Sequence, residues 1–137
     1  MTEIDLLVCG GLIVTMDPRQ PVLVDGSVAV DAGAITRALT IPEQRRIRHV
    51  LVTHTHMDHT ATLPFLIENI FGANSEPVTI YCTKRVLAGV RRHLFNNDTW
   101  PDFSRIPNQL YPSVRFEVIE PEPRRDCSTA RSAILIS

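Results

Sequence analysis

The chain has 137 residues, the size of one ordinary domain and long enough to bury a core. Hydrophobic residues make up 44% and charged residues 21%, which excludes disorder across the whole chain. A formal net charge of -1 leaves no global electrostatic footprint for nucleic acid or an anionic membrane, and no apolar run reaches the length of a membrane span.

The first third reads as short strands. Leu6-Leu7-Val8-Cys9 and Leu12-Ile13-Val14-Thr15 are β-rich runs separated by Gly10-Gly11, a turn signal, and Asp17-Pro18 marks another turn. Val22-Leu23-Val24 leads to Asp25-Gly26, a strong hairpin dipeptide, with Val28-Ala29-Val30 as the return strand. After Asp31-Ala32-Gly33 the pattern changes. Pro42 suits the start of a helix, and Glu43 to Arg48 is expected as a short polar helix. Val50-Leu51-Val52 is a continuous apolar run, as in a strand buried on both faces.

Leu63, Leu66, Ile67 and Ile70 recur at helical spacing within Thr60 to Phe71. Pro64 falls in the first turn and Gly72 terminates. Val78 to Cys82 is the next strand, and Thr83 is placed to cap a helix with Val86, Leu87, Val90, Leu94 and Phe95 on its apolar side. Asn96 to Pro112 is rich in Asn, Asp and Pro and reads as a loop, and Val114 to Ile119 is the last strand. Residues 121-137 are expected as a poorly ordered tail after a domain over 1-120. Alternating strands and helices in the middle of the chain give an α/β class.

Three cysteines, Cys9, Cys82 and Cys127, are odd in number and widely spaced, which argues against a disulfide framework and against a cysteine zinc site. The opening Met1 to Asp5 is acidic rather than basic, unlike the start of a signal peptide. A reducing, cytoplasmic setting is the expectation.

The chemistry is concentrated in His54-Thr55-His56-Met57-Asp58-His59, directly after the strand at Val50 to Val52. A zinc-type ion needs imidazole nitrogens and carboxylate oxygens converging from different directions, and a chain breaking from a strand toward a helix can turn successive side chains into one cavity. Three histidines and an aspartate within six positions are hard to explain as packing or solvation. The helix expected from about Thr60 would point its N-terminus at this site. The cationic run Lys84, Arg85, Arg91 and Arg92 reads as a solvated helix face.

The segment Thr53 to His59, followed by Thr62-Leu63-Pro64-Phe65-Leu66, resembles the HxHxDH signature of the metallo-β-lactamase superfamily. Val28 to Gly33 resembles the superfamily's earlier strand ending in an aspartate. The stretch Phe95 to Pro107 is similar to that of bacterial class II 3',5'-cyclic-nucleotide phosphodiesterases, and the similarity runs from about Val22 to Glu120.

The resemblance implies the N-terminal half of an αββα sandwich (an α+β, four-layer arrangement). It also implies hydrolysis of a small-molecule phosphodiester, a cyclic nucleotide, by a metal-activated hydroxide, with neither membrane nor nucleic acid as partner. By resemblance, His54 and His56 would bind one Zn²⁺ and Asp58 and His59 a second, with Mn²⁺ as the alternative ion. Asp58 would also handle the proton of the attacking water, and Asp31 would support the site without being a ligand.

The family draws further histidine and aspartate ligands from downstream segments, whereas the only histidine after His59 is His93, on an expected helix face. The chain is therefore expected to be a truncated half-domain that binds metal weakly. It is expected to self-associate or to need a complementing chain, and to lack turnover by itself. Residues 6-35, with Gly10 to Pro18 and Val24-Asp25-Gly26, are also similar to the opening of amidohydrolases of the chlorohydrolase and deaminase type. An enzyme of that kind would use His54 and His56 as its HxH pair, but its (β/α)₈ barrel needs about 250 residues. A third reading is a non-catalytic metal-binding half-domain.

Overall fold

A computed structural model describes the backbone of residues 6-14 and 22-27 and the full residues 28-72, 76-108 and 110-120. Five strands form one sheet in the order β1 (Leu6–Val14), β2 (Val22–Val30), β3 (His49–Leu51), β4 (Val78–Cys82) and β5 (Val114–Val118). The first pair is antiparallel, and β2, β3, β4 and β5 run parallel. Helices α1 (Ile35–Ala38), α2 (Ile41–Gln44), α3 (Met57–Thr60), α4 (Leu63–Ile70) and α5 (Lys84–His93) fill the crossovers, as parallel neighbours require. The α/β class expected from the sequence is the one found.

The opening differs from its sequence reading. Gly10-Gly11 and Asp25-Gly26, expected as turns, lie inside two nine-residue strands. Gly11 pairs with Gly26, and the register shifts on either side of Gly11. The glycines therefore mark a bulge in one long ladder, not two chain reversals. The expected turn at Asp17-Pro18 and the tail at 121-137 lie outside the described residues.

The sheet has one dry face. In register, Ala29, Val50, Ile80 and Phe116 lie side by side, and the first three are fully buried. Against them pack Leu63, Leu66, Ile67 and Ile70 of α4 and Val86 and Val90 of α5. The interior position expected for Val50 and Leu51 is observed, between β2 and β4, with Val52 buried just beyond the strand.

The opposite face carries Val30, His49, Leu51, Thr79 and Tyr81, all half-buried, and exposed Arg115 and Glu117. It is mixed in polarity rather than apolar. Strand β3 accordingly alternates half-buried, buried, half-buried, so only its helix-facing side is dry. Burial and the nearby Arg48 charge lower the pKa of His49, whose Nδ1 lies 3.2 Å from the Tyr81 hydroxyl.

Local chemistry explains the helix ends. The Glu43 carboxylate accepts from the Thr40 N–H (2.8 Å) and hydroxyl (2.7 Å), fixing the start of α2, and Pro42 sits in its first turn. The helix stops at Gln44 instead of reaching Arg48, and Gln44 is buried rather than solvated. Its amide donates to Leu39 O (2.8 Å) and Thr36 O (3.3 Å) and accepts from Asn69 (2.9 Å), tying α1 and α2 to α4. Thr83 caps α5 through Val86 N–H, and Gly72 ends α4 with φ of 73°. Cys82 is a free thiol in the core, its pKa raised by burial. Among the described residues, no helix is long and apolar enough to cross a membrane.

Ile67 is 1% exposed, on the α4 face that covers the sheet. Ile67→Ala should lower unfolding free energy by about 2–5 kcal/mol in urea denaturation. Exposed Glu68→Ala should stay within roughly 0.5 kcal/mol.

Candidate metal centre

The site forms where two parallel strands end side by side. At the end of β2, Asp31 takes φ of 61°, a left-handed conformation that aspartate tolerates better than most residues. This turns its side chain across the end of β3 while its N–H still bonds Leu51 O at 2.7 Å. The carboxylate is nearly buried, and three donors reach it. Thr53 N–H donates to Oδ1 at 2.8 Å, the Thr53 hydroxyl donates to Oδ2 at 2.7 Å, and His59 Nδ1 lies 2.7 Å from Oδ2.

The motif does not remain a loop up to Thr60. His56 is extended (φ -65°, ψ 149°) at the N-cap of α3, so Asp58 and His59 sit within a helical turn that starts earlier than expected. Buried Thr60 closes the turn by donating its hydroxyl to His56 O at 3.0 Å. Helix α4 is a separate element because the chain bends at Ala61-Thr62. There Thr62 donates N–H (2.9 Å) and hydroxyl (2.7 Å) to Ala32 O, while Ala32 N–H bonds His59 O at 2.7 Å. These bonds hold the segment after β2 against the segment after β3.

Two glycines make the approach feasible. A Cβ on Gly33 would stand 1.6 Å from Asp58 O and 3.1 Å from His59 N. On α5, a Cβ on Gly89 would stand 2.7 Å from Thr55 Cγ2, so that helix packs onto the motif itself.

The donors then converge. His54, His56 and Asp58 each offer one ligand atom, all within 4.8 Å of one another, and so do Asp31, His54 and His59. The His54 and His59 rings are 3.8 Å apart and His54 and His56 4.8 Å, centroid to centroid. The sequence reading paired His54 with His56 and Asp58 with His59. In the structure these pairs merge, since His54 belongs to both groups and Asp58 lies with His54 and His56 while its Oδ2 is 3.3 Å from His59 Nε2. Asp31 is near His54 and His59, with its Oδ1 taken by the Thr53 N–H and its Oδ2 by the Thr53 hydroxyl and His59 Nδ1. His93 is exposed on α5 and joins neither group.

This donor set fits a divalent metal. With Nδ1–H of His59 directed at Asp31, its Nε2 presents a lone pair to the Asp58 carboxylate. Two acceptors at 3.3 Å repel unless a proton or a cation lies near both. An imidazole backed by a carboxylate is also the usual support of a metal-ligating histidine. The side chains of Asp58 (67% exposed) and His59 (33%) are open to solvent, so ions and water can reach them. Thr53, Gly33 and Gly89 escaped the sequence reading as site residues. Gly89 alone carried a signal, since a glycine inside a helical pattern often has a packing reason.

Comparison with known proteins is consistent with this geometry. Residues 20–128 match the family described as Beta-lactamase superfamily domain, a span that contains the whole site. The chain is also similar to a 3',5'-cyclic-nucleotide phosphodiesterase of Schizosaccharomyces pombe, 28% identical over 105 residues. That alignment covers 77% of this chain and 28% of the yeast protein, so the chain spans under a third of that relative's length.

Gly33→Ala should displace the Asp58-His59 turn or unfold the domain. The expected readout is a loss of at least about 2 kcal/mol in denaturant unfolding, in the range of overpacked sites. A variant as stable as the parent, with unchanged His59 resonances, would contradict the close approach.

Proposed function

The chain belongs to the Beta-lactamase superfamily domain family, and on that premise we propose that it carries the metal site of a metal-dependent hydrolase acting on a phosphodiester, with a 3',5'-cyclic nucleotide as substrate class. The observation that supports this best is the convergence of His54, His56, Asp58 and His59 in front of the buried Asp31 carboxylate. The cyclic-nucleotide assignment leans on the yeast relative and on the chain's own loop at 95-107.

In this reading His54, His56 and Asp58 would hold one ion, and His59 with Asp58 would hold a second, Zn²⁺ or Mn²⁺. When bound, such an ion supplies Lewis acidity toward the phosphoryl oxygens and lowers the pKa of water at the site. The protein's part is to keep the imidazoles aimed. Asp31 fixes the His59 ring, and the loop bonds from Ala32 and Thr62 keep that ring in place against the strand ends. Asp58, exposed and carboxylate-bearing, takes the proton of the attacking water and passes it to solvent.

The half-buried sheet face at Val30, Leu51 and Tyr81 and strand β5, an edge among the described residues, support association with a second copy or a complementing chain, which would add ligands to the site.

The test is turnover of cyclic AMP and of bis(p-nitrophenyl) phosphate with added Zn²⁺ or Mn²⁺, with and without the C-terminal portion of a family member supplied in trans. Under whichever condition supports turnover, Asp58→Ala and His54→Ala should each reduce it by about 100-fold or more. Metal binding without turnover under any condition would favour a non-catalytic metal-binding domain. Turnover indifferent to both variants would refute the site.

A further inference from the structure

Thr53 directly precedes the first motif histidine, two residues past strand β3, and it makes three polar contacts. Its N–H donates to Asp31 Oδ1 at 2.8 Å, its hydroxyl donates to Asp31 Oδ2 at 2.7 Å, and that hydroxyl oxygen lies 3.0 Å from His54 Nδ1. A carboxylate accepts only, and a hydroxyl has a single hydrogen to give. Once that hydrogen is directed at Asp31, the Thr53 oxygen can meet His54 only as an acceptor. His54 Nδ1 must then carry the ring hydrogen, and the lone pair is left on Nε2. His59 is set the same way without an intermediary, its Nδ1 lying 2.7 Å from Asp31 Oδ2.

We propose that the Thr53 hydroxyl is a positioning group that relays the Asp31 carboxylate to His54 and holds that imidazole in its Nδ1–H tautomer. One buried acceptor thereby sets the tautomer of two rings whose centroids are 3.8 Å apart, directly for His59 and through one hydroxyl for His54. The lone pair of each neutral ring is then left on Nε2, one of the two nitrogens through which an imidazole binds metal. The consequence for metal affinity rests on the reading of His54 as a ligand; the tautomer relay does not.

Thr53 is exposed and keeps its N–H bond to Asp31 when only the hydroxyl is removed, so Thr53→Val is a narrow change. The test is long-range ¹H–¹⁵N correlation spectroscopy of the metal-free protein at about pH 8, above the ordinary imidazole pKa. The parent and Thr53→Ser should show His54 as Nδ1–H. Thr53→Val should move His54 toward the Nε2–H form that free histidine prefers, while His59, bonded to Asp31 itself, stays Nδ1–H as an internal control. Thr53→Ala serves the same purpose should the valine variant fail to fold.

Calorimetric titration with Zn²⁺ should show affinity about tenfold weaker in Thr53→Val, with Thr53→Ser near the parent. Persistence of Nδ1–H at His54 in both Thr53→Val and Thr53→Ala would overturn the relay. A tautomer shift with unchanged Zn²⁺ affinity would support the relay and count against His54 as a ligand.

Discussion

The Asp31 carboxylate is almost out of reach of water, and the structure around it answers that burial. An ionised carboxylate in such a place is costly unless it is well hydrogen-bonded. Thr53 N–H, the Thr53 hydroxyl and the His59 ring, all within 2.8 Å, satisfy it. The donors come from the end of β3 and from α3, elements 22 and 28 residues along the chain. The same bonds that make the carboxylate tolerable therefore pin the motif segment to the end of β2. The left-handed backbone at Asp31, strained by about 1–2 kcal/mol for most residues, is held by flanking bonds to Leu51 and His59 carbonyls.

Packing and chemistry are coupled at this junction. The dry face formed by Ala29, Val50 and Ile80 under α4 and α5 fixes where the strand ends fall. Gly33 lets the segment after β2 touch the Asp58 carbonyl, and Gly89 lets α5 close on Thr55. The site is thus braced by the sheet, by the Thr62–Ala32 bonds and by a helix. Its tip, Asp58 with His56, is exposed to solvent. Such a division, with rigid support behind and solvent access in front, suits a hydrolytic metal centre of the kind proposed here.

Local sequence revealed the parts of this arrangement whose cause is local. The His54-to-His59 spacing, the Thr83 cap, the Gly72 stop and the interior strand at Val50-Leu51 each depend on a few neighbouring residues. Gly10-Gly11 and Asp25-Gly26 were misleading because glycine relaxes the backbone equally in a turn and in a bulge. Which one forms depends on the pairing of Gly11 with Gly26, fifteen positions away. The Asp31 contacts were legible only through family resemblance, since nothing near Asp31 announces a partner at Thr53 or His59. Gln44 looked like one residue of a polar helix, and only the packing of α1 and α4 around it makes it a buried junction.

One buried carboxylate, that of Asp31, organises the candidate metal centre. The most direct measurement is Zn²⁺ affinity, by calorimetric titration, of the parent chain and of Asp31→Asn. Asparagine tolerates the left-handed backbone of this position but cannot accept from both Thr53 and His59 through two carboxylate oxygens. The parent should bind Zn²⁺, and Asp31→Asn, still folded by circular dichroism, should bind it about 10- to 100-fold more weakly. Equal affinity in the two proteins, or no binding by either, would rule out this role for Asp31.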